Sequence, residues 1–159
     1  MSLKLALKNS VICFSAIAVA HLVLADGLPS DSEILNEIMN NVSEEYVVCA
    51  AYYAVVASAL QNSGDEATAS SYKQVYENTI GLAVATAQTG RSEEMALKVT
   101  TARLNMRMDA MESEIENNYS NISLLMIKHQ KRCEWVVSNT DALLQEWENK
   151  IFDRYGVEQ

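Results

Sequence analysis

The sequence predicts an all-α protein, an antiparallel up-down helical bundle of three long helices plus two shorter C-terminal helices. Apolar residues recur at three- and four-residue steps over long segments, which is the pattern of helices that bury one face. No segment of any length alternates between polar and apolar residues as a half-buried strand does. Short clusters of Asn, Ser, Gly and Asp separate these segments, so consecutive helices are expected to be antiparallel neighbours.

The first helix is predicted from Ser30 to about Gln61. It begins with a capping box, in which the hydroxyl of Ser30 and the carboxylate of Glu33 satisfy free backbone N–H groups. It ends before Gly64, a residue suited to the left-handed conformation that follows many helices. Its apolar stripe comprises Leu35, Ile38, Met39, Val42, Tyr46, Cys49, Ala50, Tyr53, Ala57 and Leu60.

Four further helices are predicted from their caps and breaks. Asp65 and Glu66 suit the N-terminal dipole of the second helix, and Gly90 ends it. Gly81 inside that helix costs about 1 kcal/mol relative to alanine, so a close helix contact is expected there. The asparagine-rich stretch 117–121 favours a break between the third and fourth helices. The predicted ranges are 65–88, 92–118, 122–137 and 142–154.

Residues 1–25 have the pattern of a cleaved secretory signal peptide. A basic stretch without acids precedes the almost wholly apolar segment 11–24, and Val23-Leu24-Ala25 fits a cleavage site. The alternative is a membrane anchor, but an apolar run of about 14 residues is shorter than the ~20 that span a bilayer. Residues 26–159 would then form a single helical-bundle domain, exported to the periplasm or secreted.

The net charge argues against two classes of partner. Removal of Lys4 and Lys8 with the signal peptide takes the formal charge from −9 to −11. An acidic surface repels phosphate backbones and anionic lipids. We therefore expect no nucleic-acid binding and no membrane association after cleavage.

Two cysteines remain in the mature chain, Cys49 and Cys133. In an oxidising compartment such a pair indicates a disulfide, and the alternative is two free buried thiols. If the first and fourth helices share a bundle end, Cys49 lies 13 residues from Asn62 and Cys133 lies 12 from Asn121. Both sulfur atoms would then be ~18–20 Å from that end, which favours the bridge.

No set of residues predicts a catalytic site, a metal site or a cofactor. Met106, Met108 and Met111 resemble a copper-binding methionine cluster, but on a helix Met106 points almost opposite to the other two. His129 is the only histidine of the mature chain and has no Glu-x-x-His partner. The sequence also lacks a phosphate-binding glycine loop and a nucleophile elbow.

Three asparagines stand in glycosylation sequons. These are Asn41-Val-Ser43, Asn118-Tyr-Ser120 and Asn121-Ile-Ser123. The first is expected in the middle of a helix. Their use would require a eukaryotic source.

The first long helix contains Cys49-Ala-Ala-Tyr-Tyr, and Cys133 and Trp147 follow near the end of the chain. In these residues the chain resembles small exported helical proteins of proteobacteria. Their function is uncharacterised. The resemblance covers most of the mature chain. It implies an exported, helical, disulfide-linked protein and supplies no activity or site.

These features favour a non-enzymatic protein that acts by binding or interaction. The alternative is a carrier for a small apolar ligand, held in a cavity between helices and lined by tyrosines. The tyrosines proposed for that cavity are Tyr46, Tyr53, Tyr72 and Tyr76.

A homodimer is expected from surplus apolar surface, since helices of small bundles normally need one apolar stripe. The first and third helices each carry a second one, and residues 46–60 contain no charge. The alternative is that the first helix is central and covered by all the others. The residues predicted to form the self-association face are Val48, Tyr52, Val55, Leu104, Met108 and Met111.

Overall fold

The computed structural model describes residues 29–156, which form helices joined by short turns. The predicted signal peptide and the ends of the predicted mature domain, 26–28 and 157–159, lie outside the described residues. Within them no strand occurs, so the all-α prediction is confirmed. The elements are α1 (Asp31–Asn62), α2 (Glu66–Ala87), α3 (Glu93–Glu114), a 3-10 turn (Tyr119–Asn121), α4 (Ser123–Ser138) and α5 (Thr140–Tyr155).

Helix α1 is the centre of the fold, because it packs against each of the other four α-helices. Its longest contact is with α2. Between Tyr46 and Val56 every residue except Val48 and Ala54 is buried. The later helices each contribute a few fully buried side chains to this core, among them Ile115, Leu125, Val136, Leu143 and Ile151.

Local sequence signals account for the helix ends. The Ser30 N–H donates to Glu33 Oε2 at 2.8 Å, which is the predicted return bond of the capping box. Asp65 Oδ1 accepts from the Thr68 N–H at 3.2 Å, and Ser92 Oγ accepts from the Met95 N–H at 3.3 Å. Each bond satisfies an N–H that the first turn of a helix leaves free.

The break after α3 comes earlier than predicted. Glu116 and Asn117 adopt φ values of 55° and 54°, the left-handed region that an L-residue seldom occupies. Two such residues in succession reverse the chain and end α3 at Glu114 instead of residue 118. The connection from α4 to α5 is also tighter than predicted, since only Asn139 separates the two helices.

Two glycines have opposite environments. At Gly81 an added Cβ would meet nothing within 4 Å, so the close helix contact predicted there is wrong. At Gly90 an added Cβ would overlap the side-chain amide of Asn36 on α1, and the backbone φ is +73°. Gly90 is therefore the position where the absence of a side chain lets the loop after α2 approach α1.

Candidate functional site

Cys49 and Cys133 form a disulfide, as the sequence predicts. Their Cα atoms lie 5.1 Å apart, and both residues are buried. The bridge joins the middle of α1 to α4. Because it is enclosed by the core, it serves as a structural link and offers no accessible thiol.

The four tyrosines do not form a common ligand cavity. Tyr46 and Tyr53 are buried in the core, and the Tyr46 hydroxyl donates to Thr140 Oγ1 at 3.1 Å. The ring of Tyr53 packs against that of Tyr72 with centroids 5.8 Å apart. Burial raises the pKa of Tyr53 to about 12. Of the four tyrosines, only Tyr76 lines the open space described next.

An open groove of about 450 Å³ runs between the C-terminal half of α1 and the N-terminal half of α2. We call it the α1–α2 groove. Small side chains make its floor, and one side chain of α3, Met108, borders it. The small residues are Ala54, Ala57, Ser58, Ala69 and Ser70.

The spacing of these residues explains why a groove forms here. On α1 the lining positions are 54, 57, 58 and 61, and on α2 they are 66, 69, 70, 73 and 76. Both series follow the three- and four-residue steps of one helix face. Small side chains on both facing surfaces leave space that larger residues fill elsewhere in the core. Glu66 and Lys73 supply opposite charges, and Tyr76 supplies an aromatic wall.

The predicted self-association face lies mostly inside the protein. Tyr52 and Val55 are fully buried, Leu104 is 7% exposed and Met111 is 4% exposed. Val48 and Met108 are half-buried and pack against the core. These positions therefore do not form an exposed face, because α2 to α5 pack around α1 and bury most of them. This packing accounts for the second apolar stripe of α1, whereas Met95, Leu97 and Met106 of α3 stay exposed.

A smaller pocket of about 120 Å³ lies between α3 and α4, beside His129. His129 Nε2 is buried and makes no hydrogen bond, and the same holds for the Tyr52 hydroxyl. The two rings lie 6.1 Å apart. Burial, with a smaller effect from the positive charge of Lys128, lowers the pKa of His129. The imidazole is therefore neutral at neutral pH.

The methionines of α3 point in different directions, as helical geometry predicts. Met106 is 65% exposed while Met111 is 4% exposed. Over residues 29–156, no group of three or more His, Cys, Asp or Glu side chains is arranged to hold a metal ion.

Sequence reasoning missed the α1–α2 groove. The signal was the coincidence of small residues on one face of each helix, which looks like ordinary helix-packing composition.

None of the helices in the described range is both long enough and apolar enough to cross a bilayer. Comparison of the chain with models of known families, with curated proteins and with solved structures finds no match.

Proposed function

We propose that this protein is an exported, non-enzymatic binding protein that recognises another protein through the α1–α2 groove. The scaffold would be an up-down helical bundle, fixed by the Cys49–Cys133 disulfide. The observation that carries the proposal is the groove itself, which is open along one side and built from two rigid helices. A disulfide is typical of an oxidising compartment, which supports export.

The shape and chemistry of the groove favour a helical segment as the ligand. Alanines and serines on both helices allow a third helix to approach closely, as in helix-in-groove recognition. Tyr76 and Met108 offer apolar contacts that adapt to a side chain of the partner. Glu66 and Lys73 would set orientation by pairing with charges of opposite sign on the partner.

The second candidate function is a carrier for a small apolar ligand. The volume of about 450 Å³ favours it, because small-molecule sites commonly measure ~300–1,000 Å³. Such a carrier would use the same groove and not the four tyrosines.

A matched pair of variants tests whether the groove is the binding surface. Ser70 and Ser71 are adjacent exposed residues of α2, but only Ser70 lines the groove. We expect Ser70→Trp to fill the groove and Ser71→Trp to leave it open. Wild type and both variants would be immobilised and incubated with the exported protein fraction of the source cells, and bound proteins identified by mass spectrometry.

The expected result is a protein retained by wild type and Ser71→Trp and lost with Ser70→Trp. Native mass spectrometry of the three purified proteins separates the two candidate functions. A co-purifying small molecule that disappears only in Ser70→Trp would favour the carrier. Equal retention of every bound species by both tryptophan variants would contradict the use of the groove.

Export is tested separately by the mass of the mature chain. Cleavage after Ala25 leaves a protein that begins at Asp26. An intact mass of exported material that still includes residues 1–25 would contradict the proposed processing.

A further inference from the structure

The three sequons of the chain stand in three different structural settings. Asn41 lies within α1, and its Nδ2 donates to Glu37 O at 2.8 Å. Ser43, the third residue of that sequon, is fully buried, and its hydroxyl donates to Ala83 O at 3.0 Å. An oligosaccharyltransferase must reach both the amide and the hydroxyl, so the fold makes this sequon inaccessible.

The sequon of Asn121 is restrained in another way. Asn121 is half-buried, and its Nδ2 donates to Ile115 O at 3.2 Å. This bond ties the side chain to the end of the preceding helix. Attachment of a sugar to Nδ2 would require that bond to break and the side chain to turn outwards.

The sequon of Asn118 is free of both restraints. Asn118 and Ser120 are exposed in the turn between α3 and α4. Asn118 Oδ1 accepts from the Ser120 N–H at 3.1 Å, which forms an Asx turn and leaves Nδ2 without a hydrogen bond in the described structure. Glu116, two residues before Asn118, adds an exposed carboxylate that a cationic side chain of an enzyme can pair with. No acid stands at this position in the other two sequons, which have Met39 and Tyr119 there.

We propose that Asn118 is an N-glycan acceptor site and the only one of the three sequons that the folded protein presents. The co-substrate is an oligosaccharide linked through its anomeric carbon to a polyprenyl pyrophosphate. Asn118 Nδ2 attacks that carbon, a carbon–nitrogen bond forms and the carbon–oxygen bond to pyrophosphate breaks. The lipid pyrophosphate leaves with the bonding electrons, and the amide loses one proton to a base of the transferase. The modification changes no oxidation state.

The position of Asn118 makes this compatible with the proposed function. The turn lies beyond the end of α3, and none of its residues lines the α1–α2 groove. The proposal therefore goes beyond the binding function and is tested independently of it.

The test uses the purified folded protein with its disulfide intact, incubated with a lipid-linked oligosaccharide. One arm supplies a single-subunit bacterial oligosaccharyltransferase, and the other supplies the eukaryotic enzyme solubilised from microsomes with detergent. A peptide of residues 114–124 reports that the enzyme is active. We expect wild type to gain the mass of one oligosaccharide in at least one arm, with the attachment mapped to Asn118 by peptide mass spectrometry.

Two hydroxyl variants serve as a matched pair. Ser120→Ala removes the hydroxyl of the Asn118 sequon but keeps the backbone N–H that forms the Asx turn, so it should fold normally and accept no glycan. Ser123→Ala disables the Asn121 sequon and should accept as much glycan as wild type. In the bacterial arm, Glu116→Gln should lower the yield. An unmodified Asn118 in both arms, or a glycan on Asn41 or Asn121 of the folded protein, would overturn the proposal.

Discussion

Loss of the Cys49–Cys133 bridge should strongly destabilise this protein. The bridge closes a loop of 84 residues. In the chain-entropy model, such a loop contributes at most about 4.5 kcal/mol to the free energy of unfolding at 25 °C. With an unfolding entropy of about 2.1 cal/mol/K per residue, this corresponds to a fall in melting temperature of up to roughly 15 °C.

The single and double alanine variants distinguish the cross-link from simple side-chain packing. Cys49→Ala and Cys133→Ala each abolish the whole bridge, so each should lose nearly the full amount. The double variant should lose only about 1 kcal/mol more, for the second truncated buried side chain. Urea denaturation followed by circular dichroism measures all three, and the helical signal before denaturation should be retained. Losses that simply add, or two thiols that react in denatured, unreduced wild type, would refute the reasoning.

Three further predictions follow from the fold. Gly81→Ala should raise the free energy of unfolding by about 0.5–1 kcal/mol, because it removes glycine from an open helix position. Gly90→Ala should lower the free energy of unfolding, because Gly90 has a positive φ and an added Cβ would overlap α1. Thermal denaturation compares the two variants. The lowered pKa of His129 means that the unfolded chain binds a proton more readily than the folded one. Stability should therefore fall as the pH drops through the ordinary histidine pKa of about 6.5, and this fall should shrink in His129→Gln. The side-chain hydrogen bonds of Arg132, and then of Lys150, lower the pKa of Glu146. The stability that ionised Glu146 contributes is therefore present above the ordinary carboxyl range, and it is lost as the pH falls through the lowered pKa. Arg132→Lys should lower the free energy of unfolding by about 1 kcal/mol at neutral pH, because lysine cannot make the paired hydrogen bonds to Glu146. The loss should be smaller at pH ~3. Equal losses at the two pH values would contradict this prediction.

Helix positions were predictable from the sequence because their signals are local. The capping residues Ser30, Asp65 and Ser92 fixed three helix starts to within one residue of the structure. The end of α3 was not predictable to the same accuracy. The left-handed conformations of Glu116 and Asn117 depend on how the turn packs, and glutamate carries little intrinsic preference for positive φ.

The environment of α1 was not predictable, because periodicity shows which faces are apolar but not what covers them. A second apolar stripe has two explanations, a partner chain or additional helices of the same chain. The structure favours the second explanation, since Tyr52 and Val55 are fully buried within one chain. The groove was missed for a related reason. Alanine and serine at helical spacing are compatible both with tight packing and with an open space, and only the distance between helices distinguishes them.

The central position of α1 also explains how so acidic a chain holds its later helices in place. Glu37, Glu44 and Glu45 of α1 form ion pairs with arginines of α5, α3 and α4 respectively. These pairs join residues far apart in sequence, so the short-range spacing of charges along a helix does not reveal them. All of them, with the disulfide, lie at or before Cys49, whereas the groove begins at Ala54. Within residues 29–156, the inter-helix ion pairs and the disulfide of α1 thus lie between Glu37 and Cys49. The C-terminal part of α1 after Cys49 is held by apolar packing. The two charges at the groove, Glu66 and Lys73, form no ion pair with another described residue.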